Sequence, residues 1–157
     1  MDFDDFSKRI SKIDNLELPG RASHYKMVPA FRAQELESGK IIKKNPRLAA
    51  VMALFYPGMA NNTNLLLILR NTYRGIHSNQ IALPGGKMEK TDTDLLDTAL
   101  RETYEEVGAV SDHITVIRSL SEVYIPPSNF EVTPYLGLYK KERPFLMQAD
   151  EVAAIIE

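Results

Sequence analysis

The chain has 157 residues, 44% of them hydrophobic, a formal net charge of −2 and no cysteine. That size and apolar content suit one compact domain over residues 1–157 with its own core, and the missing cysteines exclude a disulfide framework and a thiolate zinc site. No Lys/Arg block resembles a nucleic-acid tail, no apolar run nears the ~18–20 residues that cross a bilayer, and Met1-Asp2-Phe3-Asp4-Asp5-Phe6 is unlike a secretory leader, so the expectation is a cytoplasmic protein with neither nucleic acid nor membrane as partner.

Phe3, Phe6, Ile10, Ile13 and Leu16 recur at helical spacing and Pro19-Gly20 closes the pattern, which predicts an amphipathic helix over residues 1–16. The following stretch to Arg47 is polar and irregular, with a helical turn over residues 31–36, so residues 1–46 read as an N-terminal extension. The apolar run from Leu48 to Tyr56 stops at Pro57-Gly58, and a second run from Leu65 to Leu69 follows Asn61-Asn62-Thr63-Asn64. Both are expected to be buried strands. Residues 70–83 carry polar and turn residues before Pro84-Gly85-Gly86, which suits neither a helix nor a central strand, so this segment reads as a loop.

The next helix is marked at both ends: Thr91-Asp92-Thr93-Asp94 offers N-cap side chains and Gly108 suits the residue just past a C-terminus. Leu96, Ala99 or Leu100, Thr103 and Val107 form its inward stripe, while Arg101, Glu102, Glu105 and Glu106 fall at other angles. Further strands are predicted over 114–117, 122–125 and 132–139, divided by Pro126-Pro127-Ser128-Asn129 and by Lys140-Lys141-Glu142-Arg143-Pro144. Strands mixed with helices make the class α/β, or α+β with a mixed sheet. The last residues, Val152-Ala153-Ala154-Ile155-Ile156-Glu157, are apolar without cap or turn, as at a truncated end from which part of a pocket or a homodimer surface would be missing.

His24, His77 and His113 lack ligand spacing, so any metal must be held by oxygen. Residues three and four apart are neighbours on a helix, which lets Glu102, Glu105 and Glu106 converge on one patch. Such like charges disfavour the helix by roughly 0.2–0.5 kcal/mol per pair unless a cation relieves them. Arg101 offers one relief, and Mg²⁺, which prefers carboxylate oxygens plus water, offers a better one. Three glutamates alone are equally well a solvated helix face. Gly85-Gly86 upstream changes the balance, because glycine lets a backbone approach a metal closely and the Gly86 carbonyl can add an oxygen ligand. At residue usages near 7%, two glycines, one arginine, three glutamates and a further glycine in this arrangement have a chance on the order of 10⁻⁸ per starting point, which makes coincidence a poor explanation.

These residues resemble the Nudix hydrolase motif, Gly-x5-Glu-x7-Arg-Glu-U-x-Glu-Glu-x-Gly-U with U aliphatic, most closely from Arg101 to Gly108. Asp92 replaces the first glutamate, eight residues rather than seven separate it from Arg101, and Thr103 and Ala109 stand at aliphatic positions. These departures leave Asp92 without an assigned role. The longer loop is similar to the coenzyme A pyrophosphatase branch: Gly85-Gly86-Lys87-Met88-Glu89-Lys90-Thr91-Asp92 precedes Thr98-Ala99-Leu100-Arg101-Glu102, and Arg70-Asn71, His77-Ser78-Asn79-Gln80 and Leu83-Pro84 fall at matching spacing upstream, with Asn71, Arg74, Asn79 and Leu83 departing from that branch.

The resemblance implies an α/β/α sandwich with the loop and helix packed on the sheet, and a diphosphatase that uses Mg²⁺ (or Mn²⁺). It implies that Glu102, Glu105 and Glu106 hold the metal with the Gly86 carbonyl, and that Arg101 orients Glu102 or pairs with Glu105; an ordinary surface ion pair is the plainer reading of Arg101. The general base is left open among Glu102, Glu151 and Glu131. Arg70, His77, Gln80 and Lys87 are candidate contacts to the phosphates or nucleotide, and Tyr124 or Phe130 either stacks on a base or belongs to the core. The implied substrate is a nucleotide-containing small molecule: coenzyme A or acyl-coenzyme A, cut to 4′-phosphopantetheine and adenosine 3′,5′-bisphosphate. ADP-ribose or another nucleoside diphosphate derivative is the alternative, and a non-catalytic nucleotide-binding module a second one.

Overall fold

The structure, a computed structural model, describes residues 1–28, 45–71, 79–140 and 145–156. Its central element is strand β1 (Arg47–Pro57), in which Ala50, Met52, Leu54 and Tyr56 alternate onto one fully buried face. β1 runs parallel to β8 (Phe130–Tyr139), from Arg47 opposite Phe130 to Phe55 opposite Leu138. Its other edge is shared by two short antiparallel strands: β5 (Gly85–Lys87) lies along Ala49 to Val51, and β2 (Thr63–Leu65) along Phe55 to Pro57. β6 (Ile114–Ser119) and β7 (Val123–Ile125) pair antiparallel with β8, so the sheet is mixed. A smaller sheet has the order β4 (Ile81–Ala82), β3 (Leu67–Arg70), β9 (Val152–Ile156).

Helix α3 (Leu95–Val107) packs on the buried face of β1, where Ala99 and Val107 join Ala50, Met52, Leu54 and Tyr56 in the core. The Asp94 carboxylate accepts from Asp97 N at its start, and Gly108, at φ 71°, ends it in the left-handed region. On the opposite face of β1, Phe55 meets Phe6 of helix α1 (Phe3–Ile10), ring centroids 4.6 Å apart. Helical segments therefore lie on both sides of the sheet, as the sandwich requires. The turn that follows α1 is fastened by Arg118, whose Nη1 donates to the carbonyls of Ile13, Asp14 and Leu16 at 2.7 to 3.1 Å.

Three expectations need correction. The helix over residues 1–16 is α1 followed by a 3₁₀ segment, Ser11–Asn15, and the polar stretch after it contains a short helix α2 (Gly20–Tyr25). The run Leu65 to Leu69 is two strands in two sheets: Leu66, fully buried, donates its N–H to Leu54 O and passes the chain from β2 to β3. Gly85-Gly86 is no loop but strand β5, and it is glycine that permits it. A Cβ on Gly85 would stand 2.3 Å from Ala50 O, so only a bare backbone lies this close to β1. The apolar chain end forms β9, paired with β3 from Arg70 opposite Val152 to Leu67 opposite Ile156. The turn expected over residues 31–36 lies outside the described residues.

Candidate functional site

The segment between β5 and α3 is shaped around Asp92, a carboxylate buried at 8% exposure. It accepts from Glu89 N at 2.8 Å, Thr98 Oγ1 at 2.8 Å, and Arg101 Nε and Nη2 at 2.8 and 3.0 Å. The bond from Arg101 is the main reason its carboxyl is held well below the usual carboxylate range, and Asp92 in turn raises the Arg101 guanidinium above its ordinary value. The rest of that guanidinium donates to Glu102 Oε1 at 3.0 Å, Glu105 Oε2 at 2.9 Å and Lys87 O at 3.2 Å. Arg101 thus bonds both Glu102 and Glu105, with its side chain 21% exposed. Asp92, left without a role by the sequence, is the post that fixes it. The signal was there: Asp92 stands six residues after Gly86, where the motif places its first glutamate, and despite the added residue its carboxylate still reaches the guanidinium.

Glu106, which periodicity sets off the inward stripe, is fully buried. Its Oε2 accepts from Gly85 N at 2.8 Å and its Oε1 from Arg70 Nη1 at 3.2 Å. Burial pushes its carboxyl up to about 7; the Gly85 N–H and Arg70 pull it down, while Glu102 and Glu151 push it further up. Burial likewise raises Glu102, against the pull of Arg101. The Glu102 carboxylate lies on Gly86, where a Cβ would come within 2.4 Å of its Cδ and Oε1. Glu151 arrives from the turn before β9. That turn is tied down by Glu151 N to Gln148 O and Val152 N to Gln148 O, by Gln148 N to Glu106 O, and by Asn71 N to Glu151 O. One carboxylate oxygen each of Glu102, Glu106 and Glu151 lies within 4.8 Å of the others.

Of the other predicted residues, Glu105 is exposed and its carboxylate rests on Arg101. Arg70, at the end of β3, is bonded to Glu106, and its backbone N–H donates to Gln80 O at 3.0 Å. Gln80 is exposed just before β4, Lys87 is exposed at the end of β5, and His77 lies outside the described residues. Glu131 sits on β8 opposite Leu48 and Tyr124 and is not among the gathered carboxylates. Tyr124 donates its hydroxyl to Asn129 Oδ1, and Phe130 lies 4.1 Å beneath the Arg47 guanidinium.

The donor set suits a hard divalent cation. Three carboxylates crowd together, two of them with raised proton affinity, and Gly86 leaves room for one of them against the backbone. A mixed-sheet α/β fold that gathers glutamates from one helix and a distant turn beside a glycine strand defines the class: a domain with a carboxylate cluster that could hold a metal ion. A NUDIX domain family model matches residues 46–154, and the chain belongs to the Nudix family. It is 39% identical over 97 residues to an uncharacterized Nudix hydrolase NudL of Pectobacterium atrosepticum, covering 59% of this chain and 48% of the relative. It is 30% identical over 130 residues to the NudL of Yersinia enterocolitica, covering 83% and 65%. The chain thus spans about half the length of most of the curated relatives it matches. Among solved structures, its fold resembles a C. elegans Ap4A hydrolase binary complex (TM-score 0.57, 17% identity, 69% of this chain and 76% of that one) and the NUDIX domain of Shewanella oneidensis NrtR complexed with ADP ribose (TM-score 0.54, 18% identity, 78% and 80%). No helix among the described residues is long and apolar enough to cross a membrane.

Proposed function

We propose that this protein hydrolyses the diphosphate linkage of a nucleoside diphosphate derivative with the help of Mg²⁺ or Mn²⁺, and that its substrate is coenzyme A or an acyl-coenzyme A. The observation that carries the hydrolase reading is the convergence of Glu102, Glu106 and Glu151 beside Gly86. In such a cleavage water attacks phosphorus and the bridging oxygen leaves, so charge grows on the phosphoryl oxygens. A divalent cation at these carboxylates supplies neutralisation of that charge and a more acidic water.

The chain's own residues divide the remaining work. Glu102 and Glu106 would hold the cation from below and Glu151 from the exposed rim, with the Gly86 carbonyl as a further candidate ligand; Glu105 lies at the margin, held by Arg101. Asp92 and Arg101 fix the direction of Glu102 without touching substrate. Glu151, open to solvent next to both deep carboxylates, is the base that takes the proton from water. Arg70 and Lys87 supply the positive charge that an anionic substrate needs on a chain of net charge −2. The coenzyme A assignment is supported by the wording of residues 85–92 and 98–102 and of the segment before them.

The test is product identification from a substrate panel at millimolar Mg²⁺. Release of 4′-phosphopantetheine, or its acyl form, with adenosine 3′,5′-bisphosphate is expected. Turnover of ADP-ribose with coenzyme A left intact would move the assignment to that substrate. Nucleotide binding with no turnover of any member would make the chain a binding module.

A further inference from the structure

Among the described residues two guanidinium groups touch the gathered carboxylates, and they are held very differently. Arg101 is locked by both oxygens of Asp92 and by the Lys87 carbonyl as well as by its glutamates. Arg70 has one ion pair, 3.2 Å from Nη1 to Glu106 Oε1, and a longer contact of 3.5 Å to Gly85 O. Its Nε is buried with no hydrogen-bond partner among the described residues. The register shift between Leu69 and Arg70 sets it opposite Val152, the residue after Glu151, and so aims this loosely held cation at the carboxylates from the β3–β9 side.

Glu106 is the acid that needs it. Fully buried, it has one oxygen satisfied by the Gly85 N–H and the other, among the described residues, by Arg70. A buried carboxylate is costly unless it is paired, and a divalent cation at Glu106 would seek the oxygen that Arg70 occupies. We propose that Arg70 is the placeholder of the cation site: it neutralises Glu106 in the metal-free protein and yields Oε1 when a divalent cation binds. Arg70 then stabilises the metal-free fold and weakens the intrinsic affinity for metal, so that the two cations are alternatives at one oxygen. This rests on the reading of Glu102, Glu106 and Glu151 as a metal site. A permanent ion pair that merely orients Glu106 makes the opposite prediction, since its loss would weaken metal binding.

The experiment uses the full chain freed of metal, with Mn²⁺ as the probe, followed by calorimetric titration and by the electron paramagnetic resonance signal of free Mn²⁺, beside thermal unfolding with and without the ion. R70M is expected to unfold several degrees lower than the parent chain without metal and to bind Mn²⁺ at least about tenfold more tightly, the change expected when a charge-assisted hydrogen bond no longer competes for the ligand oxygen. Saturating Mn²⁺ should close the gap in Tm. R70Q, which retains an N–H donor but no charge, should shift affinity in the same direction and carries the test if R70M does not refold. Unchanged or weaker Mn²⁺ binding in the folded variant overturns the placeholder role. E151Q separates the two readings: if it leaves Mn²⁺ binding by the parent chain unaltered, the metal-site reading falls and the proposal with it.

Discussion

Adjacent glycines in β5 should fail in different ways when each is replaced by alanine. At Gly86 the new Cβ would stand 2.4 Å from Glu102 Cδ and Oε1 and 2.6 Å from Oε2. Ordinary contact begins near 3.4 Å, so the carboxylate must withdraw by about 1 Å, a displacement that can cost on the order of 100-fold in rate when it misplaces a catalytic group. The obstacle is the end of a side chain and Gly86 is outside the left-handed region, so the fold should lose only about 1–2 kcal/mol. At Gly85 the φ is 151°, and a Cβ would meet backbone atoms, Ala50 O at 2.3 Å and Val51 Cα at 2.6 Å. Relief there means parting β5 from β1 and drawing the Gly85 N–H away from Glu106, for a cost of roughly 3–4 kcal/mol or more. Thermal unfolding, Mn²⁺ titration and hydrolysis measured together decide the matter: Gly86→Ala should be folded, weak in metal binding and nearly inactive, whereas Gly85→Ala should be plainly unstable. A Gly86→Ala protein with full activity, or a Gly85→Ala protein as stable as the parent, would refute the geometry from which both expectations come.

Asp92→Asn retains the shape of the clamp but removes the charge that Arg101 grips at 2.8 and 3.0 Å; a loss of roughly 2–4 kcal/mol is expected, read as a lower Tm. Because the Asp92 pKa is depressed on folding, its contribution is complete above the unfolded value of 3.8 and fades as pH falls towards the folded one, so the difference between parent and variant should shrink in acid. Glu106 behaves oppositely. With its carboxyl raised to about 7, the metal-free protein should lose stability as pH rises from about 4.5 through 7, by at most about 1.4 kcal/mol per pH unit, and Glu106→Gln should flatten that slope in denaturant titrations. Mn²⁺ affinity should climb over the same interval as the proton is displaced. Among the exposed glutamates, Glu151→Gln should weaken Mn²⁺ binding more than Glu105→Gln, because only Glu151 lies within the 4.8 Å group; equal effects would return Glu105 to the deep ligand set.

What the sequence made legible was what local chemistry determines. Helix α3 could be bounded because its start depends on Asp94 accepting from Asp97 N and its end on Gly108 at positive φ, both determined by residues a turn away. β1 could be found because an apolar run is buried wherever it pairs. β5 could not be: its three residues, Gly85, Gly86 and Lys87, have little strand propensity of their own, and they are a strand only because β1 accepts them. The burial of Glu106 was not legible for the same reason. A helical wheel places it beside Glu102, but its burial is made by Gly85, 21 residues away, and Arg70, 36 residues away. Glu151 stands in the sequence as one of three candidate bases, and it is the pairing of β3 with β9 that brings it to the helical carboxylates.

The added residue between Asp92 and Arg101 shows how such a site tolerates change. What the chemistry needs from this segment is a carboxylate on the Arg101 guanidinium and an unbroken helix from Arg101 onward; the path between them is free. Asp92 is one carbon shorter than the motif's glutamate, and the added residue lies before the helical carboxylates, where it can be absorbed without rotating Glu102, Glu105 and Glu106 relative to one another. The same change inserted after Arg101 would turn each following side chain by about 100°, carrying Glu102 off Gly86 and Glu106 off the Gly85 N–H. Loop length ahead of the helix can therefore vary, while the spacing from Arg101 to Glu106 cannot.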